Sequence, residues 1–189
     1  VFVVATPAFS GKRFEDLIAQ AKAQPGKLSL ATSGVGTVGH IMLEQIKRKA
    51  GVEILHIPYK GDAAALTSLL GGEIVFVVAP PTAVLPHVKS GRLKALAVTT
   101  ARPSAVLPGL PTVAATGLPG YESTAWYGLL APAAVPKQII VQLNTLIVKG
   151  GQAKDLSESF AKQGLDPQTY TPVQFGDYIK SEIAKNVDL

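Results

Sequence analysis

The sequence predicts an α/β fold in which a mainly parallel sheet is flanked by helices. Short strand-like runs alternate with helical stretches over roughly residues 6–100, the order expected of right-handed βαβ crossovers. The run from Ile74 to Val78 is continuously apolar, which is typical of a strand covered on both faces. Glycine or proline stands at most junctions between these runs, so the boundaries of the predicted elements are well marked.

The first two helices are predicted from apolar residues at helical spacing. The apolar positions from Phe14 to Ala21 predict a helix that ends before Pro25. Residues 28–32 predict a strand, a glycine-rich turn follows, and a second helix is predicted from about residue 38 to residue 50. Gly51 supplies the expected stop of that second helix.

The rest of this α/β unit continues the same alternation. The predicted segments are a strand at 53–57, a helix at 62–70, a strand at 74–78, a helix at 82–90 and a strand at 93–99. Asp62 and Thr82 are expected to cap the two helices, since short polar side chains at that position accept backbone N–H groups.

After Thr100 the pattern changes to a connector rich in proline and glycine, residues 102–120. A pair of strands is predicted around residues 121–130, and three amphipathic helices complete the chain. The last of them opens with a capping box, Thr171 with Gln174. Because the apolar faces of these helices need a surface to pack on, we expect them to belong to a different lobe from the sheet.

Composition and motifs exclude several functions. The chain has 18 basic and 13 acidic residues, but the basic residues are scattered and lack interleaved aromatic ones, which disfavours nucleic-acid binding. The absence of cysteine excludes disulfides, thiolate metal sites and a cysteine nucleophile. His40, His56 and His87 do not have metal-ligand spacing, and no H-E-x-x-H, G-x-S-x-G or G-x-x-x-x-G-K-[ST] motif is present. We therefore predict neither catalysis nor a bound metal or cofactor.

Residues 34–39 form a literal G-x-G-x-x-G pattern between a predicted strand and a predicted helix. A dinucleotide site would need an acidic residue at the end of the next strand, but Ile57 and Pro58 stand there. A tight turn without a ligand is a second interpretation. An anion-binding turn is favoured, because N–H groups at a helix N-terminus attract anions and Ser33 and Thr37 add hydroxyl donors.

A second turn, residues 59–62, follows the next predicted parallel strand and should lie at the same edge of the sheet. Lys60 is interpreted as a solvated side chain and Asp62 as a helix cap. A third turn, residues 79–82, carries weaker chemistry. Trp126 is interpreted as a packing residue at least as readily as a ligand-stacking one.

Several segments of the chain, taken together and in this order, carry a family resemblance. They are residues 17–19, 25–28, 33–37 with His40, 56–61, 91–99, 110–113, 120–122 and 125–128. The most distinctive are SGVGT from Ser33, HIPYKG from His56 and GRLKALAVT from Gly91. With these segments the chain resembles the Bug family, also called the TctC family, which comprises the extracytoplasmic solute receptors of tripartite tricarboxylate transporters.

The resemblance implies a type II periplasmic-binding-protein fold, in which two α/β lobes close on a ligand. It further implies a periplasmic protein that is not an enzyme and that delivers a small organic anion, such as a carboxylate, to a membrane permease. Carried onto this sequence, the implied ligand-binding residues are Ser33, Gly34, Gly36 and Thr37 in one turn and Gly61, Asp62 and Ala63 in the neighbouring turn.

The resemblance also implies a division of the chain between two lobes. Residues 6–125 would form the second, ligand-binding lobe with its connector. Residues 1–5 and 126–189 would supply crossover strands and helices of the first lobe, whose N-terminal part we expect to be absent. Two alternatives stay open: a nucleotide-binding oxidoreductase fragment that uses residues 34–39, and the effector-sensing domain of a LysR-type regulator, which shares the binding-protein fold.

Overall fold

The chain divides into two compact units, Val1–Ala125 and Trp126–Leu189. The computed structural model describes residues 1–187, so Asp188 and Leu189, which end the predicted first-lobe segment, lie outside the described residues. Within the described range, the first unit contains the sheet and four α-helices, and the second contains three α-helices. No helix in that range has the length and apolar character needed to cross a membrane.

Five strands form one sheet in the first unit. They are β1 (Phe2–Ala5), β2 (Ser29–Thr32), β3 (Leu55–Pro58), β4 (Phe76–Ala79) and β5 (Lys94–Val98). Their order is β3-β2-β4-β1-β5. β2 pairs in parallel with β3 and β4, whereas β1 is antiparallel to β4 and to β5. Four strands therefore run in one direction, and the predicted mainly parallel sheet is confirmed.

Strand β1 adds an antiparallel member that the βαβ pattern does not contain. It lies between β4 and β5, with Phe2 opposite both Ala79 and Val98. All four of its residues are buried, so its side chains pack on both faces of the sheet like those of the parallel strands. The assignment of residues 1–5 and of the second unit to a first lobe stays a prediction.

Helices cover both faces of the sheet. They are α1 (Phe14–Ala23), α2 (Val38–Ala50), α3 (Asp62–Gly71) and α4 (Pro81–Lys89). Buried side chains of α1 and α2 form one core with Leu30, Phe76 and Val78. Those of α3 and α4 form a second core with Ala31 and Val77. Successive strand residues thus point to opposite faces, as the period of a β-strand requires.

The predicted caps of α3 and α4 are wrong. Gly61 is the N-cap of α3, with φ 96°, and Asp62 is the first helical residue. Glycine adopts that φ at little cost, so it occupies the turn position and moves the aspartate one residue into the helix. Pro80 precedes α4, which places Thr82 inside the first turn rather than at its cap.

The predicted pair of strands at 121–130 is also wrong, because these residues are irregular. Ser123 N–H donates to the Thr99 carbonyl at 2.8 Å, just beyond β5, but the contact does not extend into a ladder. Tyr121, at the start of this range, is buried as a packing residue instead, and its hydroxyl donates to the Met42 carbonyl. An apolar run becomes a strand only where a neighbouring strand pairs with it.

The second unit consists of α5 (Lys137–Gln152), α6 (Lys154–Lys162) and α7 (Pro172–Asn186). The predicted capping box is confirmed: Thr171 Oγ1 accepts from Gln174 N–H, and Gln174 Oε1 accepts from Thr171 N–H. None of the three helices contains a buried residue. Leu146 and Ile183 are 65% and 61% exposed, so the predicted apolar faces of these helices are present and accessible.

An aromatic cluster packs within the second unit. Trp126, the single tryptophan, meets Phe175 and Tyr178 edge to face, with ring centroids 5.6 Å and 5.8 Å apart. Gly128 lies so close to Phe175 that any Cβ there would overlap the ring. We expect Gly128→Val to destabilise this unit by about 1–3 kcal/mol, the usual cost of overpacking. Trp126 emission, followed through urea unfolding, measures the loss.

A double-mutant cycle separates this overlap from a general effect of valine. Removing the ring by Phe175→Ala should recover part of the loss in the Gly128→Val background, because the two residues compete for the same space. Gly150→Val is the control, since a Cβ at Gly150 meets no neighbouring atom. An unchanged Trp126 signal and urea midpoint in Gly128→Val would contradict the packing described.

Candidate functional site

Three turns lie side by side at one edge of the sheet, where parallel strands end and helices begin. β3, β2 and β4 are neighbours, and they lead into α3, α2 and α4 respectively. The glycine-rich turn after β2 is the middle one. Each helix N-terminus leaves backbone N–H groups without intrahelical partners and carries the positive end of a helix dipole. This edge therefore favours a negatively charged group, at the position where open α/β sheets bind ligands.

The glycine-rich turn has a backbone that its glycines make possible. Gly34 and Gly36 have φ values of 144° and 74°, which other residues rarely adopt. Thr37 is the N-cap residue of α2, but its hydroxyl donates to the Gly34 carbonyl at 2.7 Å and does not cap the helix. The first N–H groups of α2 thus receive no acceptor from their own cap, which suits an acceptor supplied by a ligand.

The structure brings the first and second predicted turns together. Gly61 N–H donates to the Ser33 carbonyl at 3.0 Å. A Cβ on Gly34 would lie 3.4 Å from the Tyr59 carbonyl oxygen, so the two backbones approach closely at this point. Ser33 is half-buried beside this contact. The predicted residues of both turns therefore share one short stretch of the sheet edge.

Asp62 and Ala63, the remaining predicted site residues, lie in the first turn of α3. Asp62 is half-buried, and its carboxylate is stabilised there by the positive end of the helix dipole. Ala63 is exposed, and its carbonyl accepts from the Thr67 hydroxyl at 3.0 Å. The Asp62 carboxylate would repel a carboxylate of the ligand brought close to it. We therefore expect Asp62 to contact a ligand hydroxyl or a bound water molecule.

The third glycine of the pattern has a packing role. A Cβ on Gly39 would lie 3.2 Å from the Val78 carbonyl oxygen and 3.4 Å from Thr32 Cβ. Glycine at this position lets α2 lie close against β2 and β4. The G-x-G-x-x-G pattern is thus accounted for by a turn at its first two glycines and by helix-sheet contact at its third.

A pair of stacked histidines next to this turn was not predicted as part of the site. The imidazoles of His40 on α2 and His56 on β3 have centroids 4.1 Å apart and are 13° from parallel. His56 Nε2 is 2.6 Å from Thr32 Oγ1, and Gly36 N–H donates to His40 Nδ1 at 3.1 Å. No local sequence signal predicts this pair, because it depends on the parallel register in which Leu30 pairs with His56 and places it on the same face as Thr32.

Charged residues of α2 surround this histidine pair. Glu44 Oε1 lies 3.8 Å from His40 Nε2 and 2.7 Å from Lys47 Nζ. Burial, and then the charge of His40, lower the pKa of His56. The described residues contain no cluster of three or more metal-ligating side chains. The hydrogen bonds of the pair run to Thr32 at the end of β2 and to Gly36 in the turn.

We expect the protein to lose stability as the pH falls below about 6.5, the ordinary pKa of histidine. Because the pKa of His56 is lowered in the fold, the unfolded chain binds a proton that the folded chain resists. The neutral ring's contribution is complete above the unfolded pKa and is lost as pH falls toward the folded one. Urea midpoints at pH 7, 6 and 5 measure this slope.

The variant His56→Gln places a side-chain amide where Nε2 contacts Thr32, and this amide cannot titrate. The urea midpoint of the variant should therefore depend less on pH than that of the wild type. His87→Gln, in the last turn of α4, is the control and should keep the wild-type slope. Equal slopes in wild type and His56→Gln would show that another group carries the pH dependence.

The α/β fold, with its turns at one edge of the sheet, is that of the type II periplasmic-binding-protein class, to which similar solved structures belong. The whole chain, residues 1–189, matches the model of the tripartite tricarboxylate transporter family receptor, TctC. The chain therefore belongs to this family of solute receptors, which are not enzymes. Membership confirms the resemblance that the sequence shows. It excludes the two alternatives, an oxidoreductase fragment and a LysR-type effector-sensing domain.

Individual relatives agree with this membership. Protein BugT of Bordetella pertussis is 36% identical over 183 residues, which cover 97% of this chain and 56% of BugT. The structure of R. palustris Rpa4515 with adipate has a TM-score of 0.91 at 32% identity and covers 97% of this chain and 62% of that one. MatC from Rhodopseudomonas palustris with bound malate has a TM-score of 0.88 at 25% identity, over 99% and 65% of the two chains. This chain spans about half the length of the curated relatives that it matches.

Proposed function

We propose that this chain carries the ligand-binding turns of a periplasmic receptor that captures a small organic anion. A carboxylate of the ligand would accept hydrogen bonds from backbone N–H groups of residues 33–37 and from the Ser33 hydroxyl, while the Thr37 hydroxyl holds the turn through the Gly34 carbonyl. The observation that carries the proposal is the uncapped N-terminus of α2, opened by two glycines in the left-handed region. Relatives of the same fold bound to adipate and malate support a carboxylate as the anion.

The electrostatics of the sheet edge favour an anion over a neutral solute. The N-termini of α2, α3 and α4 lie along it, and each is worth about 0.3–1 kcal/mol to a nearby negative charge at an exposed site. Asp62 opposes this attraction only at the start of α3. An anion is therefore expected at the middle turn, with Gly61 and Asp62 contacting a polar group further along the ligand.

The proposed function continues after the anion has bound. A receptor of this class closes a second lobe over the ligand, and the accessible apolar faces of α5–α7 are expected to belong with that lobe. The closed receptor would then dock on the permease of a tripartite tricarboxylate transporter. Family membership supports this delivery step and the periplasmic location.

Calorimetric titration and thermal shift with a matched panel test the proposal. Adipate and malate are compared with their neutral diamides, and NAD and NADP are included for the nucleotide alternative. A ligand at 100 times its Kd should raise stability by about 2.7 kcal/mol. We expect at least one carboxylate to stabilise the protein and its diamide to have no effect. Stabilisation by a diamide equal to that by its acid, or by a dinucleotide alone, would overturn the proposal.

A further inference from the structure

His40 makes a hydrogen bond that uses the proposed anion-binding turn itself. Gly36 N–H donates to Nδ1 of His40 at 3.1 Å. An imidazole nitrogen that accepts a hydrogen bond carries no proton, so the proton of the neutral ring is on Nε2. That nitrogen faces Glu44 Oε1 at 3.8 Å. In the neutral state of His40, a donor that an anion at this turn would use is therefore already occupied.

Protonation of His40 reverses this arrangement. Nδ1 gains a proton, can no longer accept from Gly36, and becomes a donor. The turn then presents a released N–H and an adjacent imidazolium N–H, together with a positive charge. A carboxylate oxygen accepts charge-assisted hydrogen bonds from such donors more strongly than from neutral ones.

We propose that His40 determines the affinity of the anion site by coupling proton uptake to anion binding. The inference rests on the proposed function, since it concerns the same turn. It adds a dependence of anion affinity on pH, which the glycines of the turn cannot supply. Affinity for a carboxylate then rises as the pH falls. A histidine that only supported the turn would have the opposite effect, because protonation would break its bond to Gly36.

Titratable and charged groups face His40 from two elements. His56 stacks on His40 from β3 at 4.1 Å, and two charged rings at that distance would repel each other. Burial lowers the pKa of His56, so this neighbour resists taking a charge of its own. On α2 itself, Glu44 Oε1 faces the outer nitrogen of His40 at 3.8 Å and is bonded to Lys47 Nζ at 2.7 Å.

Calorimetric titration with adipate and malate between pH 8 and pH 6 tests the coupling. One linked proton raises affinity by up to about tenfold per pH unit, and proton uptake appears as a binding enthalpy that depends on the buffer. His40→Asn keeps an acceptor oxygen near the position of Nδ1 but cannot titrate, so its affinity should not depend on pH. The control is His87→Gln, in the last turn of α4, and it should keep the wild-type dependence of affinity on pH.

A flat or falling affinity toward pH 6 in the wild type, or a slope retained in His40→Asn, would overturn the coupling. The Gly36 amide resonance in the ligand-free protein gives a separate readout, because it should titrate together with the His40 imidazole. If it does not titrate, the coupling is wrong even where an anion binds. If it titrates and neither acid binds at any pH, the failure belongs to the proposed function and not to the His40–Gly36 contact.

Discussion

Replacing Gly34 with valine is expected to weaken carboxylate binding by between about tenfold and about 100-fold. Gly34 has φ 144°, and a non-glycine residue held in such a region costs about 1–3 kcal/mol. The branched side chain would also start 3.4 Å from the Tyr59 carbonyl. Without ligand, the turn of the Gly34→Val variant can relax to a backbone conformation with less strain. Ligand binding must then return the turn to the strained conformation, and that cost weakens the affinity. Every 1.4 kcal/mol of that cost, roughly, is a factor of ten in Kd.

A valine at the opposite end of the same helix is the matched control. Gly51 ends α2 with φ 63°, and a Cβ there meets no neighbouring atom. Gly51→Val should therefore lower the urea midpoint through backbone strain but leave anion affinity unchanged. Calorimetric titration of both variants at a temperature where each is folded makes the comparison. Equal affinities for wild type and Gly34→Val would remove the turn from the site.

The sequence predicts the elements of the first unit well where the signals are local. The apolar period and the stop at Gly51 were enough to place α2 at the bounds that the structure shows. The alternation of strands and helices was enough to predict that the turns after β2, β3 and β4 share one edge of the sheet. These features depend on residues a few positions apart, and a strand and the helix after it carry their own patterns.

The features that the sequence missed depend on pairing between distant segments. Nothing within the run at residues 2–5 shows that it is antiparallel between β4 and β5, because its partners are at the far end of the unit. The stack of His40 on His56 likewise exists only once β2 and β3 are in register. Asp62 is a good cap by residue type, but the backbone at Gly61 decides where α3 begins.

Replacing Phe76 with alanine is expected to lower the free energy of unfolding of the first unit by about 3–5 kcal/mol, the range for truncating a buried aromatic residue. Phe76 is 1% exposed and lies on β4, where it is paired with Ala5 and Leu30 of the two flanking strands. Its ring packs edge to face against Phe9 at 4.8 Å. Urea unfolding followed by far-UV circular dichroism measures the loss.

The contrast with Leu55→Ala shows whether burial causes the effect. Leu55 lies on β3 of the same sheet but is 55% exposed, and a substitution at such a surface position usually changes stability by about 0.5 kcal/mol or less. A Phe76→Ala loss no larger than that of Leu55→Ala would show that Phe76 is not a core residue. Where Phe76→Ala remains folded, its anion affinity should match that of the wild type, because the turn after β2 is held by Gly61 N–H and the Thr37 hydroxyl rather than by this core.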